Sequence, residues 1–170
     1  DALDLTGTSI ESVSVDGSVC KKIAVFSGSS AISIGNGSSL DPLYQQCYPI
    51  NSWGLNYFIT PYQGKNKFII RVLAKEDGTN VVINGQTFPL TANQFKEISY
   101  TNQTAFAINS NKPIAVAQYS FTQIADIGVG DLPAFVYQLL AVSVKQPQLG
   151  IHLFCQFTGW CQDQCPGIAL

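Results

Sequence analysis

The sequence predicts an all-β fold: an antiparallel β-sandwich of two packed sheets, followed by a loop-rich, cysteine-containing C-terminal tail. Three observations predict it. Short apolar runs recur at about ten-residue intervals between turn-forming residues, the spacing of a sandwich or barrel. Asn84-Gly85 lies between two such runs and suits a type I′ hairpin turn, in which both central residues need φ > 0. Only 12% of the residues are charged, and Ser, Thr, Asn, Gln and Gly supply most of the polarity, the make-up of an extracellular β-domain. With no long amphipathic helix, internal repeat or linker, the domain is expected over residues 1–145 and the tail over 146–170.

Taken in order, Val19 to Phe26 reads as a strand that enters a turn at Ser27-Gly28-Ser29-Ser30. Ala31 to Ile34 alternates and stops at Gly35-Asn36-Gly37. Residues 41–62 read as a Tyr-, Gln-, Asn- and Trp-rich loop region containing one short strand, Leu55 to Thr60. Lys67 to Ala74 places Phe68, Ile70, Val72 and Ala74 on one face, and its other face is mostly apolar as well. Asn80–Ile83 and Gln86–Leu90 flank the Asn-Gly turn. Phe95–Tyr100 and Thr104–Asn109 are expected to pair around Thr101-Asn102-Gln103. Ile114 to Phe121 follows Pro113 and aligns Ile114, Val116, Gln118 and Ser120. Ala134 to Val144 fits either a buried strand pair or a short helix.

Composition also excludes function classes. The net charge is −2 and the basic residues are scattered, so no patch exists to neutralise nucleic-acid phosphates or an anionic membrane. No run of about 18 apolar residues offers a membrane span. The opening D-A-L-D-L lacks a basic n-region and an apolar h-region, so the chain reads as a mature protein or a fragment. The five cysteines are Cys20, Cys47, Cys155, Cys161 and Cys165, all disulfide candidates, and their odd number leaves one for another partner. A local tail bridge, Cys155–Cys165 or Cys155–Cys161, is favoured over a bridge to the body because a short loop closes cheaply. Cys20–Cys47 is left open. Three tail cysteines with His152 fit zinc less well than they fit disulfides.

Catalysis finds little support. His152 is the sole histidine, Ser27 lacks a nucleophile elbow, and Glu76-Asp77 is a turn pair that diverges. Calcium could use Asp41, Asp126 and Asp131, but no closely spaced acidic loop exists and backbone capping explains them as well. Asn36 and Asn102 begin glycosylation sequons.

A series of motifs gives the chain a family likeness. It runs through Ile23-Ala24-Val25-Phe26-Ser27-Gly28, then Asp41, Tyr44 and Gln46, then Pro49, Trp53, Gly54 and Tyr57. Asp77-Gly78-Thr79, Asn84-Gly85, Lys112-Pro113 with Gln118-Tyr119, and Gly130-Asp131 before Pro133 follow in order. This pattern resembles the N-terminal domain of the IgGFc-binding protein family, a secreted module of mucus proteins and bacterial cell-surface proteins. The resemblance covers Ile23 to Pro133, and the cysteine-rich tail departs from it. It implies an extracellular, secreted or surface-attached β-domain that binds a protein or glycan partner. Immunoglobulin Fc is not carried over, because no Fc-binding motif is identifiable. Candidate contact residues are Tyr44, Gln46, Tyr48, Asn51, Trp53, Tyr57 and Tyr62. For Trp53 a buried packing role is weighed above an exposed platform, since large aromatics supply much of a β-core. The alternative function is a structural subunit of a matrix, mucus gel or surface filament, contacting other copies and open to disulfide cross-linking.

Overall fold

The computed structural model describes residues 4–17, 20–35, 40–62, 65–101, 103–122, 136–139 and 168–169. All regular elements among them are strands apart from one short 3-10 turn at Ile50–Ser52. The strands are β1 (Ser9–Ile10), β2 (Phe26–Ile32), β3 (Asp41–Gln46), β4 (Gly54–Ile59), β5 (Lys67–Ala74) and β6 (Thr79–Ile83). They continue with β7 (Gln86–Leu90), β8 (Phe95–Thr101), β9 (Phe106–Ser120), β10 (Val136–Leu139) and β11 (Ile168–Ala169). Every pairing is antiparallel.

The organising element is β9, 15 residues long. Its first part, around Ala107–Ser110, lies between β4 and β6, and β7 continues beyond β6. Its second part, Ile114–Ser120, lies between β5 and β10, and β8 continues beyond β5. One strand therefore runs through both halves of a single seven-stranded sheet, which curls so that the halves face each other across a sandwich-like core. The change of partner falls at Asn111-Lys112-Pro113, where pairing with β4 jumps from Asn56↔Asn109 to Gly54↔Ile114. Pro113 has no N–H to give a ladder, and such a residue belongs at a bulge. Ser110 Oγ donates to the Lys112 carbonyl at 2.7 Å and so supports the backbone inside that bulge.

Between the two parts lies the main core. Phe68, Ile70, Val72 and Ala74 of β5 meet Tyr57, Ile59, Val81, Ile83, Leu90, Ile108, Ile114 and Val116. Burial of a large apolar side chain is worth about 1.5–3 kcal/mol each, so this set dominates the stability. The expected alignment of Ile114, Val116, Gln118 and Ser120 is present, and all four are buried. Asn84 and Gly85 have φ of 47° and 81°, the positive pair that a type I′ turn requires.

The opposite face of β5 is covered as well. Ile69 and Tyr119 pack against Ile34, Leu43 and Phe121, while Leu73 and Ala115 pack against Trp53, Ile50 and Phe95. The β2–β3 hairpin and the 3-10 turn thus form an outer layer on the sandwich.

Several expectations are corrected. The described residues before Phe26 hold no strand over 19–25; β2 instead runs straight through Ser27-Gly28-Ser29-Ser30, read from sequence as a turn. Pairing with β3 overrides the turn propensity, and Gly28 permits it, since a Cβ there would stand 2.0 Å from the Leu43 carbonyl oxygen. Residues 41–62 are mostly not loop: they hold β3 and β4. β8 and β9 are successive but do not pair with each other. The chain crosses from one half of the curled sheet to the other between them, where Tyr100 stacks on Phe68 at 5.4 Å and meets Phe106 in a tilted contact at 4.8 Å. β10 decides for a strand within 134–144, and the rest of that run lies outside the described residues.

Candidate binding face

Alternation along the β2–β3 hairpin gives it two distinct faces. The inner one presents Ser27, Ser29, Leu43 and Gln45, with Cys47 just beyond the strand, to a cavity of about 680 Å³. The floor of that cavity is the outer face of the sandwich, including Ile69, Leu73, Ala115 and Tyr119. On the other face Phe26 and Tyr44 stack with ring centroids 5.4 Å apart and planes 4° apart. They are 51% and 73% exposed. Gln46 pairs across the ladder with Phe26, and Gly28 pairs with Tyr44. Gly28 carries no side chain, so nothing stands over the ring pair from that position. Two large aromatics held rigid on a strand pair, with an amide beside them, offer apolar contact and hydrogen bonding at small entropic cost.

The sequence candidates separate into surface and interior. Tyr44 is open to solvent, Asn51 is exposed, and Gln46, Tyr48 and Tyr62 are half-buried. Trp53 and Tyr57 are withdrawn from any contact role by burial, at 8% and 1% exposure. Tyr57 Oη donates to the Ile114 carbonyl and accepts from the Gly54 N–H, tying β4 to β9 across the bulge. Burial pushes its phenol above the ordinary range, with the Gly54 hydrogen bond acting the other way. Trp53 is held by packing; its Nε1–H is buried with no acceptor among the described residues. Tyr62 donates from Oη to the Gln118 carbonyl at 2.9 Å, and Gln118 Nε2 donates to the Thr60 carbonyl at 2.9 Å. The candidates therefore do not form one patch. Phe26, which sequence reasoning places at the end of a strand and in the first family motif but not among the contact residues, is the partner of Tyr44. Its signal is the antiparallel register of 26 with 46, visible only once 27–30 is a strand.

Cys47 is a free thiol, so the Cys20–Cys47 bridge is not formed. Cys20 is disulfide-bonded, and its partner lies outside the described residues. Burial raises the Cys47 pKa, with a hydrogen bond from Ser27 opposing it, so the thiol stays neutral near pH 7. Cys155, Cys161, Cys165, Asn36, Asn102, Asp126, Asp131 and His152 lie outside the described residues. Among the described residues no group of three His, Cys, Asp or Glu side chains could hold a metal. No helix among them is long and apolar enough to cross a membrane.

At one end of the cavity Arg71 gathers a polar cluster. Its Nε donates to Glu97 Oε2 at 2.9 Å, and its Nη1 donates to Thr6 Oγ1 at 2.6 Å and lies 3.1 Å from Asp4 Oδ2. The guanidinium sits over the Phe95 ring at 4.6 Å.

Compared with known proteins, the chain matches the family model described as IgGFc binding protein over residues 1–143. No curated protein and no solved structure matches it.

Proposed function

The chain belongs to the IgGFc-binding protein family, and from that premise we propose that it is an extracellular recognition and adhesion module. Its contact face is the outer side of the β2–β3 hairpin, and its partner is a protein or a glycan of a cell surface or mucus layer. The observation that carries this reading is the exposed Phe26–Tyr44 stack. Large apolar rings left in water on an ordered strand pair cost solvation that a partner would recover. The family supports an extracellular protein-binding role. The low charge of the chain favours recognition by apolar contact and hydrogen bonds over electrostatic capture.

Purified mucin and immunoglobulin Fc fragment are the probes that test it, with Phe58→Ser as control, since Phe58 is another exposed aromatic on a different strand. Tyr44→Ser and Phe26→Ser are expected to weaken binding at least about tenfold with an unchanged melting temperature, and Phe58→Ser to leave it intact. Equal binding by all variants refutes the face.

The second reading is a structural subunit of a matrix or filament. The Cys47 thiol favours it only weakly, because the group is half-buried and neutral. Reducing against non-reducing electrophoresis tests it through the presence of disulfide-linked multimers.

A further inference from the structure

The segment before β2 is attached to the body in an unusual way. Asp4 and Thr6 dock on Arg71 through the contacts above, and Thr6 N–H donates to Asp4 Oδ1 at 2.9 Å, which shapes the segment around the guanidinium. Gly7 then passes against the turn before β8: its φ is +96°, and a Cβ there would stand 2.7 Å from the Asn93 carbonyl oxygen. A side chain at position 7 would therefore push the segment away. This is a built docking contact, with a cationic socket on β5 and a slot that accepts only glycine. Little else holds the segment among the described residues. Leu5 is 66% exposed, and β1 pairs over two residues with β11. The described residues of 11–25 form no helix or strand and are mostly exposed.

We infer that residues 4–10 are an exchangeable arm and that the Arg71–Asn93 groove can be filled by the arm of a second copy of this chain. The contacts would be the same in cis and in trans, so only the connecting segment decides between them. Residues 11–19 span up to about 30 Å when extended, at about 3.3 Å per residue, which is comparable to the width of a domain this size. In dilute solution the cis arm wins, because a short tether gives an effective concentration on the order of mM. Crowding of copies on a surface or in a gel reaches that range and moves the arm into trans. Each copy gives an arm and receives one, so two copies close as a reciprocal pair. The inference is independent of the hairpin face and bears on the structural-subunit reading.

A charge-reversed pair removes the cis option and keeps the trans one. With its own arm docked, Asp4→Arg protein brings two cations together beside Glu97, and Arg71→Asp protein brings three carboxylates together, those of Asp4, Glu97 and position 71. In an equimolar mixture the now basic arm of the first meets the now acidic groove of the second. The unchanged acidic arm of the second meets the unchanged Arg71 of the first. Each variant alone is expected to be a monomer by light scattering, and the mixture a dimer that dissociates in high salt. A mixture that stays monomeric up to about 1 mM, near the effective concentration of the tether, overturns the inference. Circular dichroism of each variant checks folding. If Arg71→Asp fails to fold, a fluorescent peptide of residues 1–10 is titrated into Asp4→Ala protein. Saturable binding lost with a Gly7→Val peptide supports the inference, and absence of binding overturns it.

Discussion

At single positions the balance between packing and polarity is most easily tested. Trp53 fills a site against Leu73, Ala115, Ile50 and Phe95, so Trp53→Ala should cost about 3–5 kcal/mol by chemical denaturation. Trp53→Phe loses little area and also removes a buried donor that has no acceptor among the described residues, so it should cost well under half of that. Gly85→Val places a β-branched residue at a φ of 81° and should destabilise by about 1 kcal/mol or more. Asp4 gives a pH dependence whose sign is fixed. Burial raises its pKa, but the hydrogen bonds from Thr6 and the Arg71 cation outweigh this and hold it below the ordinary 3.8. A carboxylate depressed by folding contributes stability above its unfolded pKa, and that contribution is lost as pH falls through the lower folded value. Amides 4–8 should therefore lose exchange protection on acidification below about pH 3.8 while the β5 and β9 amides keep theirs. The Cys47 thiol, pushed up by burial, should react with iodoacetamide at about pH 8 more slowly than glutathione does.

Elements differ in how far the sequence reveals them. β5 is legible as an apolar run with strand spacing, and β6 and β7 because the Asn-Gly turn between them has one solution. The rear of β9 is legible from the spacing of Ile114, Val116, Gln118 and Ser120. Its continuity through Pro113 is not, since proline reads as a strand boundary until the bulge beside it is seen. The β2–β3 hairpin is hidden more deeply. Ser-Gly-Ser-Ser has the local chemistry of a turn, and only its long-range pairing with Asp41–Gln46 makes it a strand. Half of the candidate face is consequently legible, through Tyr44 and Gln46, and its other ring, Phe26, is not. Gly28→Ala should separate β2 from β3, because the added methyl meets the Leu43 carbonyl. Loss of amide protection in both strands, with β5 and β9 unchanged, is the expected exchange pattern.

For the whole molecule, one long strand runs through both halves of a curled seven-stranded sheet around the main core, and a hairpin packed on the outside adds a third layer. That third layer is not legible from sequence. The apolar second face of β5 announces that something covers it, but not what. The hairpin touches the sandwich with one side, and the proposed function gives its other side the contact role and the sandwich the stability. The most direct test of that division is amide hydrogen exchange of the protein with and without saturating purified mucin. Added protection confined to residues 26–32 and 41–46 is expected. Protection that instead falls on β4, around the exposed Leu55 and Phe58, with the hairpin unchanged, would contradict it.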